Sequence, residues 1–190
     1  MAAMMHDGSV ASSLGDRRLR IGGGVVSVVL VLATVALAIV GAGGDAGAEQ
    51  SIAPQLVEVA DLTGLEAELG HSIYWAGERS RQRLELTEEG EGSVYLRYLP
   101  PGVGAGDPRQ RFLTVGTYPV VDAVRALART AAKEGGALTN VAGDTVLVNP
   151  TSPGSVYLAK PGSDLQIEVY DPAPGRSLRL IRSGVIRPVG

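Results

Sequence analysis

Residues 83–99 read RLELTEEGEGSVYLRYL, and this stretch sets the fold class. In Arg83-Leu84-Glu85-Leu86-Thr87 polar and apolar side chains alternate, the pattern of a strand with one buried face. Glu88-Glu89-Gly90-Glu91-Gly92 reads as a turn, and Ser93–Leu99 returns as the second arm of an antiparallel hairpin. The pentapeptide Gly92-Ser93-Val94-Tyr95-Leu96 recurs letter for letter as Gly154-Ser155-Val156-Tyr157-Leu158, 62 residues on. The same offset lays Leu84 and Leu86 on Val146 and Val148. Phe112–Pro119 (FLTVGTYP) parallels Leu165–Pro172 (LQIEVYDP), and each leads into a helical pattern. The shared order of strand, turn, strand, loop, strand and helix predicts an internally duplicated βββα unit, over about 83–134 and 145–184. Two such units would pack about a pseudo-twofold axis, with helices against one face of an antiparallel sheet.

Around these units, Leu56, Val59, Leu62, Leu65 and Leu69 recur at helical spacing and predict a helix over Gln55–Leu69, stopped by Gly70. Ile73-Tyr74-Trp75 predicts a short strand, Pro100–Gln110 a Pro- and Gly-rich loop, and Arg111–Thr117 a further strand. Val120, Val124, Leu127 and Ala131 form one apolar stripe of a helix ended by Gly135-Gly136. A short helix is predicted over Pro174–Ser183 and a terminal strand over Val185–Val189. The expected fold of residues 55–190 is α+β, antiparallel strands with two or three helices.

The run from Ile21 to Gly44, IGGGVVSVVLVLATVALAIVGAGG, carries no ionisable side chain. Roughly twenty apolar residues in a helix cross a bilayer core, so a single transmembrane helix is expected over 21–43. Arg17, Arg18 and Arg20 precede it, while Asp45 and Glu49 follow. Basic residues stay on the cytoplasmic side, which places residues 1–20 inside as a short tail and the domain outside the plasma membrane. Residues 44–54, rich in Gly and Ala, form the expected flexible linker. The alternative is a cleaved signal peptide. Ala46-Gly47-Ala48 is an A-x-A pattern, and cleavage near Ala48 would release a secreted domain.

Composition narrows the chemistry. From Glu49 onward there are 17 acidic and 14 basic residues, so there is no electrostatic footprint for nucleic acid. The absence of cysteine excludes disulfides, thiolate metal sites and thiol catalysis. His71 is the one histidine after residue 6, too few for a triad or a multi-histidine metal site in the domain. No catalytic residue, metal ligand or cofactor loop is assigned. Pro101–Pro108 has glycine at every second position through Gly106, but it joins strand to strand, where a phosphate cradle joins strand to helix. Glu85, Glu168 and Asp171 are the carboxylates available for acid–base work, with nothing in the spacing to bring two together.

Five residues are the candidates for ligand binding. Tyr74 and Trp75 read either as a stacking platform at a strand end or as core packing with the indole N–H bonded nearby. Tyr95 and Arg97 share the strand face opposite Val94 and Leu96, and Tyr157 is the repeat mate of Tyr95. A Tyr/Arg cluster about a pseudo-twofold groove suits an anionic or peptide ligand; the bland alternative is a solvated sheet face. Arg125, Arg129 and Lys133 line one helical face, and Arg176, Arg179 and Arg182 step along the last helix. Such faces are the wet side of amphipathic helices or rest on anionic lipid or cell-wall polymer.

At Tyr74-Trp75-Ala76-Gly77, Arg97–Gly102 (RYLPPG), Leu113–Pro119 (LTVGTYP) and Glu168–Pro172 (EVYDP), the chain resembles uncharacterised single-pass membrane-anchored proteins of actinobacteria. The resemblance implies a location outside the plasma membrane and carries no activity. The expected function is therefore a tethered extracytoplasmic binding or interaction module, non-enzymatic. It contacts the lipid bilayer through residues 21–43 and meets an envelope protein or polymer with its domain. A cell-envelope hydrolase using carboxylates, or a structural subunit packing through Gly22, Gly23 and Gly24, are the alternatives.

Overall fold

A computed structural model describes residues 51–190, and alternating stretches of the chain build its main sheet. In chain order the strands are β1 (Ile52–Val57), β2 (Tyr74–Trp75), β3 (Arg83–Glu89), β4 (Ser93–Leu99), β5 (Thr114–Pro119), β6 (Ala137–Val141), β7 (Asp144–Val148), β8 (Ser155–Ala159), β9 (Leu165–Tyr170) and β10 (Arg187–Pro188). The helices are α1 (Val59–Leu69), α2 (Ala123–Glu134) and α3 (Arg176–Arg182). Eight strands form one antiparallel sheet in the order β1-β3-β4-β5-β9-β8-β7-β6, and β2 pairs with β10 in a separate ribbon. The fold is α+β, as expected.

Burial follows the alternation. Leu86, Val94, Leu96, Val115, Val146, Val156, Leu158, Ile167 and Val169 are buried on one face. α1 closes it through Leu62 and Leu65, the β2–β10 ribbon through Tyr74 and Trp75, and α3 through Ile181. The opposite face has two covers. α2 lays Ala123, Leu127 and Ala131 on Leu147, Tyr157 and Ala159, and the β4–β5 connection packs Val103 and Phe112 on Leu99. The helices therefore divide between two faces, where a single helical face was expected. Leu147 and Tyr157 supply the reason: they are apolar positions on the far side of strands whose alternate residues already fill the core.

Several elements differ from expectation, and β5 runs over Thr114–Pro119 where Arg111–Thr117 was expected. Gln55 and Val57 pair with Leu86 and Leu84 as strand, and the helix starts only at Val59. Glu58 stops the strand and caps the helix, its N–H donating to Asp61 Oδ2 at 2.8 Å. The sheet begins at Ile52, inside the stretch expected as linker. β6 is a strand the spacing did not announce. The tail at 1–20, the transmembrane helix at 21–43 and the linker up to residue 50 lie outside the described residues. Among the described residues, no helix is long and apolar enough to cross a membrane.

Candidate functional site

Pairing register brings the sequence-predicted tyrosines together. Tyr95 lies opposite Gly116, Gly116 opposite Glu168, and Glu168 opposite Tyr157, so the four form one row across β4, β5, β9 and β8. Gly116 leaves the floor of this row bare. A Cβ there would meet Tyr118 Oη at 2.7 Å, because the Tyr118 ring lies across the glycine. Tyr118 Oη donates to Glu168 Oε2 at 2.6 Å, and Ser155 Oγ donates to Glu168 Oε1 at 2.6 Å. Tyr95 stacks edge-on against Tyr118 at 5.5 Å and donates to Glu89 Oε2 at 3.3 Å. Burial pushes the Tyr95 phenol up to about 12, with the Glu89 charge adding to it. It raises Tyr118 and Tyr157 further, next to the Glu168 carboxylate. All three hydroxyls are held neutral, and those of Tyr95 and Tyr118 donate to partners already inside the protein.

Arg97 is equally engaged. Its Nη1 donates to the fully buried Glu85 at 2.7 Å, and its Nη2 donates to the carbonyls of Asp107 at 2.7 Å and Arg109 at 3.2 Å. Glu85 Oε2 also accepts the Gly106 N–H at 2.5 Å. The alternating glycines thus let the β4–β5 connection fold down onto a buried ion pair. Tyr74 and Trp75 are buried on the other face, and the indole Nε1 donates to the Pro188 carbonyl at 3.2 Å. That is their packing reading, and it sets them apart from the tyrosine row. The ring nitrogens of His71 lie 3.0 Å from the Gly92 carbonyl and 3.1 Å from that of Ser72, a strap between chain segments.

Unspent donors gather elsewhere. Where β4 and β9 end and β5 begins, a cavity of about 220 Å³ is lined by Arg79, Gln82, Tyr98, Arg111, Asp171 and Arg176, with Pro100, Phe112, Leu113 and Pro172 as apolar wall. Each guanidinium comes from a different segment: Arg79 from the β2–β3 loop, Arg111 from the β4–β5 connection, Arg176 from the start of α3. Tyr98 places the first. Its Oη accepts the Ala76 N–H at 2.7 Å and donates to the Gly77 carbonyl at 3.2 Å, which anchors the loop carrying Arg79. The Arg79 guanidinium lies over the Tyr98 ring at 5.6 Å, and that of Arg111 over Phe112 at 5.6 Å. Stacking on a ring fixes the plane of a guanidinium while leaving its N–H edge free.

Arg176 Nε lies 3.4 Å from the buried Asp171 carboxylate. Among the described residues Arg79 and Arg111 form no side-chain hydrogen bond or ion pair, and Arg79 Nε is buried without a partner. The arrangement can hold an anion. It has no nucleophile–base pair, and among the described residues no group of His, Asp and Glu is placed to hold a metal. Of its charged members the sequence reading noted Arg176 as part of a basic helix face and Asp171 as an isolated carboxylate. Arg79 and Arg111 were missed, since residues far apart in the chain meet only through the sheet. No protein family, characterised protein or solved structure matches this chain.

Proposed function

We propose that this chain is a single-pass membrane protein whose folded domain, held outside the plasma membrane by residues 21–43, binds an anionic group of an envelope component or partner. The observation that supports this reading is the Arg79–Arg111–Arg176 cavity, in which two guanidiniums are held on aromatic rings with no carboxylate partner among the described residues. Arg79 is half-buried with its Nε unpartnered, while Arg111 and Arg176 are exposed at the cavity wall, so an anion can reach guanidiniums that the rings already orient. The role is binding rather than catalysis, because Glu85 and Glu168 are consumed by internal donors.

The duplicated βββα unit belongs to this proposal. Strand order reads the same from both edges of the sheet, and β4 and β8, which carry the shared pentapeptide, occupy matching places. With these strands matched, pairing lays Leu86, which faces Leu96, on Val146, which faces Leu158, two residues away from the match to Val148 that the 62-residue offset gives. The cavity breaks the symmetry. The first unit joins its second and third strands by Pro100–Leu113, which supplies Arg111, whereas the second uses only Lys160–Asp164.

Two measurements test the reading. Fractionation of cells expressing the native chain, with the intact mass of the product, should give full-length protein in membranes that resists alkaline extraction. A soluble exported product beginning at Glu49 would overturn the tether. Calorimetric titration of the full chain in detergent with phenyl phosphate and with benzoate should detect binding of at least one. The double variant Arg79→Gln/Arg111→Gln should weaken it by about tenfold or more. Silence with both anions would overturn the binding role.

A further inference from the structure

Resting on that reading, we infer that the anion received by the Arg79–Arg111–Arg176 cavity is a phosphate monoester. Charge is the first argument. The lining carries three guanidiniums against one carboxylate, Asp171, a formal surplus of two positive charges. A phosphate monoester carries about −1.5 to −2 at neutral pH, which matches the surplus, whereas a carboxylate carries a single charge.

Geometry is the second argument. A single guanidinium fork satisfies both oxygens of a carboxylate. Here three guanidiniums from separate chain segments line one open cavity, the arrangement that suits three terminal oxygens pointing in different directions. Among the described residues Arg79 and Arg111 are stacked and without an ion-pair partner, while Arg176 spends its Nε on Asp171 and leaves its terminal nitrogens without a hydrogen bond. Arginine with a planar fork, rather than lysine, is the residue for such recognition, and all three cationic positions are arginine.

Size supplies the remainder of the ligand. A cavity of about 220 Å³ is larger than a phosphate group needs, and Gln82, Pro100, Leu113 and Pro172 form the part that would meet the organic body of the ester. The same phosphoryl group occurs on soluble esters and on the headgroup of phosphatidic acid.

The test uses the full chain in detergent, titrated with phenyl phosphate and with benzoate, which share the ring and differ in the anion. At about pH 7.5 phenyl phosphate should bind at least about tenfold more tightly. That preference should shrink at about pH 5, where the ester becomes a monoanion (second pKa about 6). Arg79→Gln and Arg111→Gln should each cost about tenfold, Arg79→Lys should recover part of the loss, and Arg125→Gln on the exposed face of α2 should cost nothing. Benzoate binding as tightly as phenyl phosphate would overturn the phosphate assignment and leave an anion-binding module standing. Absence of binding by either probe would overturn both. The source is separated in lipid nanodiscs. Phosphatidic acid in the disc should suppress phenyl phosphate binding if the lipid is the natural occupant, and should leave it unchanged if the ligand is a soluble ester.

Discussion

Arg97 and Glu85 hold each other beneath the β4–β5 connection, and the stability of that end of the sheet rests on the pair. Glu85 is fully buried, with the Arg97 guanidinium and the Gly106 N–H as its partners. Removing one member of a buried pair leaves an uncompensated charge, at a cost of roughly 3–5 kcal/mol. Arg97→Met should therefore destabilise the domain by about 3 kcal/mol, read as a fall in the thermal midpoint of the full chain. The double variant Arg97→Met/Glu85→Leu should recover most of it, because both charges go together. A double variant as unstable as the single one would show that packing of the stem matters more than charge. Alternation alone placed Tyr95 and Arg97 on one face, opposite Val94 and Leu96, and the register agrees. The partner of Arg97 was not legible. Glu85 lies directly opposite Arg97 in the β3–β4 hairpin, but reading Glu88–Gly92 as the turn shifts that register, and the glycine-rich connection that closes over the pair leaves no mark in the strand pattern.

At the scale of elements, the β6–β7 hairpin carries a conformational penalty that a single substitution relieves. Val141 pairs with Asp144, so Ala142 and Gly143 form a two-residue turn, with φ of 52° at Ala142 and 96° at Gly143. Both central residues are left-handed, the geometry of the turn that favours Asn-Gly. Alanine in this region costs about 1–2 kcal/mol, and asparagine tolerates it far better. Ala142→Asn should stabilise the domain by about 0.5–1 kcal/mol, raising the thermal midpoint by roughly 2–4 °C. No change, or a fall, would mean that the turn relaxes when the side chain is altered. The same hairpin shows where element prediction ran out. Residues 137–140 of β6 are exposed, so no buried alternation marks the strand, and it exists through pairing with β7. The start of α1 was misplaced for the converse reason. Leu56 and Val59 suit a helical stripe, yet Gln55–Val57 are claimed by the edge of β3. Where apolar alternation was strong, as in β3, β4, β7, β8 and β9, the chain announced its strands plainly.

For the whole molecule, the α+β class and its antiparallel sheet were legible in the strand and helix patterns, whereas the arginine cavity could not be read from any one of its contributing segments. A property shared by the whole domain gives a further test. All six tyrosines have phenols raised above the ordinary value, chiefly by burial. Tyr95 and Tyr98 are each pushed up to about 12. The folded state therefore holds these groups neutral where the unfolded chain, with phenols near 10, ionises them. An acid raised in this way contributes stability that is complete below about pH 10 and is lost as pH climbs from there through the folded value, because the unfolded state then binds fewer protons. Tyr98, almost wholly buried, withdraws about 1.4 kcal/mol per pH unit across the window from about 10 to 12. Tyr118 and Tyr157, raised further beside Glu168, add to the same slope. The full chain should thus unfold cooperatively between about pH 10 and 12, with tyrosinate absorbance appearing in one step alongside the loss of circular dichroism. Replacing Tyr98 by Phe should flatten the pH slope by about one proton across that window, even though the loss of its hydrogen bonds to Ala76 and Gly77 lowers the starting stability. Phenols that ionise independently near pH 10 while the circular dichroism stays native would contradict the buried tyrosine network, and with it the placement of the loop that carries Arg79.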